Sequence, residues 1–265
     1  MTFGFIGTGN MGGALARAAR RKMEGEQLLL ANRTEAKAAA LAAALGAVVS
    51  DPASVAREAD YIFLGVKPQM MAELMAEIGP DLAERKSRFI LVSMAAGLGV
   101  EKILAMAGGD YPIIRIMPNT PCSIGEGMIL YARGNGVTEE ELEAFLDGMA
   151  GAGRFSEIPE GLMDAGSAVA GCGPAFADLF IEALADGGVA CGLSRVQAVE
   201  FAAQMLAGSA RLALESGRHP GALKDAVCSP GGSTIQGVRK LEEAGFRGAV
   251  MNAVIAAFEK SRALG

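Results

Sequence analysis

The chain has 265 residues, 51% of them hydrophobic, enough to fill the cores of two modest domains, and this excludes a disordered reading. Its 30 acidic side chains against 24 basic ones leave a formal charge of -6, so the cationic stripe that nucleic-acid binding requires is missing. Aromatics make up only 5% and there are 36 glycines, a composition that lets helices pack closely.

The longest run without a polar or charged side chain, Ala38 to Val49, covers 12 residues. A bilayer span needs roughly 18 to 20, so no membrane span is expected. The N-terminus enters an apolar strand with no leader pattern before it, and the expected location is the cytoplasm. Cys122, Cys172, Cys191 and Cys228 form no CxxC pair and His219 is the single histidine. No zinc ligand set exists in that spacing, so free thiols and no metal are expected.

In chain order, Thr2 to Ile6 reads as an apolar strand and Met11 to Met23 as a helix. Gln27 to Ala31 is strand-like, Glu35 to Leu45 is helical after a Thr34 cap, Ala47 to Val49 is a short third strand and Tyr61 to Val66 a buried fourth. Gln69 to Ile78 is helical, Phe89 to Ser93 and Ile113 to Met117 are strands, and a short helix near Glu101 to Met106 lies between them. A further strand pair includes Gly127 to Tyr131, and Thr138 with Glu141 forms a capping box that starts a helix to about Ala150. Alternation of this kind predicts a Rossmann-type parallel sheet covered by helices on both faces.

Beyond about Ile158 the reading is all helical. It gives Pro174 to Ala190, Arg195 to Glu215 behind a Ser194–Gln197 capping box, a short helix near Ala222 to Ala226, Ile235 to Ala244 and Phe246 to Ala263. The expected division is an α/β domain over 1–157 and an all-α domain over 158–265. The last helix is apolar around most of its circumference, which two accounts explain equally: burial inside its own domain, or interlocking with a second copy.

Gly7-Thr8-Gly9-Asn10-Met11-Gly12 matches G-x-G-x-x-G between the first strand and the first helix, the context in which that pattern holds a dinucleotide pyrophosphate at a helix N-terminus. Specificity for NADH usually comes from an acid at the end of the second strand. Here that strand ends in Asn32-Arg33-Thr34, and a guanidinium suits the 2'-phosphate of NADPH, leaving NADH as the weaker cofactor. Gly65-Val66-Lys67-Pro68 and Ser93-Met94-Ala95-Ala96-Gly97 close the fourth and fifth strands, where open sheets of this type bind ligands.

Val66-Lys67-Pro68-Gln69, Met117-Pro118-Asn119-Thr120-Pro121, Gly171-Cys172-Gly173-Pro174-Ala175-Phe176 and Lys224 to Thr234 follow one another in that order. This series resembles the pyrroline-5-carboxylate reductase family from the first strand to the final helix, most specifically at Ser229-Pro230-Gly231-Gly232-Ser233-Thr234. The resemblance implies NADPH-dependent reduction of 1-pyrroline-5-carboxylate to proline, with a phosphogluconate dehydrogenase-like arrangement of domains. It also implies a helical dimerisation domain, and a homodimer assembled further into a ring such as a decamer. Cofactor contacts are implied at Gly7, Thr8, Gly9, Asn10, Met11, Asn32, Arg33, Val66, Lys67, Pro68, Met94, Ala95 and Ala96. Substrate contacts are implied at Glu160, Ser233 and Thr234. Pro52, Ala226 and Cys172 depart from residues that relatives carry.

The chemistry fits these residue types. Gly231 and Gly232 free a sharp turn, and the helix start that follows offers N–H groups to a carboxylate without a cationic side chain. The Thr234 hydroxyl is the candidate catalytic group, orienting the C=N bond by hydrogen bonding the ring nitrogen. His219, before Pro220 and Gly221, reads as a loop residue. Two other readings remain: a reductase for another imine or a 3-hydroxy acid, whose catalytic lysine has no matching glycine-rich context among Lys224, Lys240 and Lys260, and a dinucleotide sensor without turnover.

Overall fold

Four strands, β1 (Phe3–Ile6), β2 (Leu28–Ala31), β4 (Tyr61–Leu64) and β5 (Ile90–Ser93), are buried at every position. Strands hydrophobic on both sides demand a sheet covered on both faces. In the computed structural model, which describes residues 1–263, they belong to an eight-stranded sheet of order β3-β2-β1-β4-β5-β6-β7-β8. The other strands are β3 (Val48–Val49), β6 (Ile113–Met117), β7 (Gly127–Arg133) and β8 (Gly153–Glu157). All pairings are parallel except β6 with β7. The first six strands follow the doubly wound Rossmann order, whose reversal point lies beside β1.

Helices α1 (Asn10–Ala19), α2 (Glu35–Leu45), α3 (Pro52–Glu58), α4 (Met71–Glu84), α5 (Val100–Ala107) and α6 (Glu139–Met149) complete the layers. Alternate strand residues feed two cores. Phe3, Phe5, Leu28, Leu30, Phe63 and Val92 meet α1 and α6 on one face; Ile6, Leu29, Ile62, Leu64 and Leu91 meet α3, α4 and α5 on the other. The capping box of α6 forms as expected, with Thr138 accepting from the Glu141 N–H and the Glu141 carboxylate accepting from the Thr138 N–H. Thr34 occupies the N-cap of α2 but its side chain makes no capping bond.

Two helices escape the sequence reading, α3 and the short one over Met163–Gly166, and the second strand of the expected pair is given no residues there. Helix α3 opens on Asp51, which accepts from the Ser54 N–H, with Pro52 in the first turn; a capping acid followed by proline is a start signal that could have found it. Pro52, the departure from relatives, thus has a helix-starting job. Strand β8 pairs with β7 through Gly127 to Tyr131, and its polar Arg154, Ser156 and Glu157 hide it from an apolar pattern.

By contact, the described residues divide into two compact units, one of residues 1–172 with 257–263, the other Gly173–Ala256. Residues 264 and 265 of the expected second domain lie outside the described residues. After β8, a 3-10 turn (Glu160–Leu162), α7 (Met163–Gly166) and a π turn (Ser167–Gly171) lead into α8 (Gly173–Ala190). The whole helical run Glu160–Ala190 is long and apolar enough to cross a membrane by length and composition. Counting only uninterrupted apolar residues does not detect it, because a few charges are spread along it.

The second unit also contains α9 (Arg195–Ser216), α10 (Pro220–Ala226), α11 (Ser233–Glu243) and most of α12 (Phe246–Arg262). Helices α8 and α9 approach through Ala185, Ala198 and Ala202, with Gly188 facing Ala198. Large apolar side chains instead face outward: Leu179, Val196, Phe201, Leu212, Leu214, Met251 and Ile255 are all more than half exposed. No described residue of α12 is buried, so burial of that helix within its own domain is the account that fails. Ser194 caps α9 by accepting from the Gln197 N–H, while its hydroxyl donates to the Gln197 side chain, half of the expected box.

Phe145 of α6 is fully buried, with the rings of Phe3, Tyr61, Phe63 and Phe155 centred 5.9 to 6.5 Å away. Removing it leaves a cavity among rings that are fixed on β1, β4 and β8. Phe145→Ala is expected to cost about 3–5 kcal/mol of stability, read as a lower denaturant midpoint at unchanged slope.

Candidate active site

The turn from β1 to α1 is built by steric exclusion. Gly7 adopts φ +98°, and a Cβ there would lie 2.6 Å from the Gly65 backbone. A Cβ on Gly12 would lie 2.0 Å from the Gly7 carbonyl oxygen, so only glycine lets helix, turn and the end of β4 close on one another. Gly9 differs, since a Cβ there would meet nothing within 4 Å. It is the N-cap of α1 and makes no side-chain cap, so no capping side chain occupies the first-turn N–H groups of α1.

Asn32 fixes this turn from the end of β2. Its Oδ1 accepts from the Thr8 N–H at 3.1 Å and its Nδ2 donates to the Thr34 carbonyl at 3.1 Å. The Thr8 hydroxyl is buried and has no hydrogen-bond partner, the condition a ligand oxygen would relieve. An uncapped helix start, an open cradle at Gly9 and an orphaned hydroxyl together fit a dinucleotide pyrophosphate. Arg33 is exposed and has no ion-pair partner among the described residues, so its guanidinium is available to a second phosphate.

Sheet order brings the other expected cofactor residues to the same edge. Val66, Lys67 and Pro68 follow β4, and Met94, Ala95 and Ala96 follow β5; with the turns after β1 and β2 they occupy the carboxyl ends of four adjacent strands. Val66 and Met94 pack on opposite cores, Ala95 is buried, and Ala96 and Lys67 are exposed. Met11 lies 3.8 Å, sulfur to sulfur, from Cys122, whose thiol is pushed up by burial; this cysteine belongs to the core.

In the second unit the Ser229 to Thr234 segment forms a turn before α11. Gly231 has φ +71°, Gly232 is the N-cap with no capping side chain, and the Gly232 N–H donates to the Ser229 carbonyl at 3.0 Å. The helix begins at Ser233, two residues earlier than the sequence reading, so Ser233 and Thr234 occupy its first turn and both are exposed. Neither hydroxyl has a partner among the described residues. Nearby, Lys224 and Asp225 pair at 2.6 Å, which raises the amine and lowers the acid. His219 is the N-cap of α10, its Nδ1 accepting from the Gly221 N–H, in line with the structural reading of that residue.

Glu160 lies in the first unit and is engaged. Its Oε1 accepts from the Val100 N–H at 2.6 Å and faces Arg115 Nη1 at 3.3 Å. Arg115, on β6, was missed; the signal was a lone charge in the apolar strand Ile113–Met117. Its side chain is only 5% exposed. Asn119, also missed, sits in the Met-Pro-Asn-Thr-Pro motif and links Ala170 to Met128, accepting from the Met128 N–H and donating to the Ala170 carbonyl, each at 3.0 Å.

Comparison with known proteins decides the family. Residues 160–264 match the model for pyrroline-5-carboxylate reductase dimerisation. Residues 2–97 match that for coenzyme F420-dependent NADP oxidoreductases. Pyrroline-5-carboxylate reductase of Pisum sativum is 39% identical, covering 99% of this chain and 96% of its own. That of Escherichia coli K12 is 42% identical, covering 98% and 97%. The chain belongs to the pyrroline-5-carboxylate reductase family. The crystal structure of Plasmodium falciparum pyrroline carboxylate reductase with NADP bound matches at a TM-score of 0.88 and 35% identity, over 100% of this chain and 98% of that one. A pyrroline-5-carboxylate reductase from Coxiella burnetii gives 0.90 at 28%, also over 100% and 98%. The dimerisation match begins where the apolar run Glu160–Ala190 begins, so a second copy of the chain is the occupant it argues for.

Charge-assisted hydrogen bonds of the kind assigned to Arg33 contribute about 1.5–3 kcal/mol. Arg33→Ala is therefore expected to weaken NADPH binding roughly 10- to 100-fold while leaving NADH within about twofold, measured by fluorescence titration of both cofactors.

Proposed function

We propose that this chain reduces 1-pyrroline-5-carboxylate to L-proline with NADPH, the last step of proline biosynthesis. The observation that carries the reading is the conjunction of two uncapped helix starts in a chain that matches pyrroline-5-carboxylate reductases along its whole length. The start of α1, with Gly7, Thr8, Gly9, Asn10 and Met11, holds the pyrophosphate, and Asn32 and Arg33 hold the 2'-phosphate end. Val66, Lys67, Pro68, Met94, Ala95 and Ala96 line the remaining length of the dinucleotide. When bound, NADPH supplies a hydride to the imine carbon, and the ring nitrogen ends as an amine.

The rest is done by the chain's own groups. Gly231 and Gly232 expose the first-turn N–H groups of α11, which bind the substrate carboxylate through the helix dipole without a cationic side chain. The Ser233 hydroxyl adds a donor to that carboxylate. The Thr234 hydroxyl hydrogen-bonds the ring nitrogen and fixes the C=N plane. Positioning is the main contribution, since hydride transfer needs carbons held about 3–3.5 Å apart and a protonated imine is already a good electrophile. A catalytic histidine is unnecessary, and His219 has a structural task.

We assign cofactor binding to 1–157 and substrate binding and dimerisation to 158–265. The outward apolar faces of α8, α9 and α12 support a homodimer in which two copies complete each other's core, as the family's dimerisation domain implies. Further assembly into a ring such as a decamer and a cytoplasmic location are part of the same proposal.

The test uses purified protein, NADPH and 1-pyrroline-5-carboxylate, followed by loss of reduced-nicotinamide absorbance. Thr234→Ala should lower kcat by roughly an order of magnitude or more while the Kd for NADPH stays within about twofold. Unchanged turnover in that variant removes Thr234 from the mechanism, and oxidation with a different imine but not with this one overturns the substrate.

A further inference from the structure

The segment Met94 to Gly99 carries three of the proposed cofactor contacts between β5 and α5, and its far end has no local cap. Gly99 is the N-cap of α5 and brings no side chain, so the Val100 N–H would be orphaned. The partner it finds lies 60 residues further along: Glu160 Oε1 accepts from it at 2.6 Å. That carboxylate is in turn held by Arg115, buried in the adjacent strand β6 and 3.3 Å away. Glu160 is two residues beyond Ile158, which is hydrogen-bonded to Tyr131 of β7, so the carboxylate is anchored to the sheet on both sides.

We infer that Glu160, expected from the family resemblance to touch substrate, is instead a positioning residue that caps α5 from a distance and so holds the Met94 to Gly99 segment in its cofactor-binding form. Arg115 orients it. The inference rests on the assignment of Met94, Ala95 and Ala96 to the cofactor. At the other end of the segment β5 and the Ser93 hydroxyl, which accepts from the Ala95 N–H at 3.3 Å, already fix the backbone. The α5 end is held by a side chain from another element. A negative charge there also suits the helix dipole. Freed of its cap, the segment populates other conformations, and NADPH affinity falls by the fraction of molecules that remain competent.

The experiment measures the Kd for NADPH by titration, and the KM for the imine separately, in Glu160→Ala, Glu160→Ala with Gly99→Ser, and Arg115→Met with Glu160→Ala. The backbone of Gly99, φ −72° and ψ 163°, accepts a serine, and its Cβ would approach only the Glu160 oxygen that the first substitution removes. Loss of a cap predicts about a five- to tenfold weaker Kd in Glu160→Ala, with the imine KM within about twofold. The local serine cap should recover at least half of that loss, a rescue that a direct substrate contact would not allow. The Arg115→Met, Glu160→Ala pair leaves no buried charge alone, so it keeps the fold and should show the same loss should the single variant fail to fold. An unchanged Kd, a rise confined to the imine KM, or no recovery with Gly99→Ser overturns the inference. Because the Kd needs no turnover, it reads the cap even if 1-pyrroline-5-carboxylate proves not to be the substrate.

Discussion

Everything at the cofactor edge depends on the backbone of Gly7, Gly12 and Gly65 meeting without side chains. A single Cβ on Gly12 would fall 2.0 Å from the Gly7 carbonyl, and one on Gly65 2.5 Å from the same atom. That contact sets the first turn of α1 against the ends of β1 and β4, and so decides where the uncapped N–H groups point. Had the turn opened by an ångström, Asn32 would lose the Thr8 N–H and the ends of β1 and β2 would no longer share one cradle. Sheet order then brings the turns after β4 and β5 to the same edge at no further cost, because parallel neighbours end on the same side.

The same device recurs in the helical unit with a different purpose. Both α1 and α11 begin behind a glycine N-cap that makes no side-chain bond. In each case the dipole and free N–H groups favour an anion, and the proposed function puts a pyrophosphate at one and a carboxylate at the other. On the proposed reading, a chain of charge -6 binds both anions through helix starts, with no cationic side chain assigned to the pyrophosphate or the carboxylate. The helical unit differs from the sheet unit in its core. Its buried residues are alanines and its large apolar side chains face outward, the faces that the proposed dimer covers.

Most of the fold was legible in the sequence because period and punctuation agreed. The strands ending at Ile6, Ala31, Leu64 and Ser93 are continuous apolar runs, and the Thr138 box marks α6. Helix α3 was missed although Asp51-Pro52 signals it, and the partner of Gly127 to Tyr131 in the expected strand pair could not be assigned residues because Arg154, Ser156 and Glu157 of β8 are polar. The glycine loop, Asn32 and the turn before α11 were readable as motifs. Arg115 was not, since a lone arginine in an apolar strand does not announce its partner, and Glu160 lies 45 residues away. The capping of Val100 depends on that pairing, so it too was beyond any local pattern. The apolar circumference of the last helix, α12, left two accounts open in the sequence, and only the exposure of its side chains separates them.

The central claim is that a hydride passes from the nicotinamide to the imine carbon of 1-pyrroline-5-carboxylate. Deuterium placed on the transferable position of NADPH follows that hydride directly. Mass spectrometry of the product should find a single deuterium in proline, on the ring carbon that had carried the C=N bond. Proline formed without the label, or no labelled proline while the cofactor is consumed, would contradict the account.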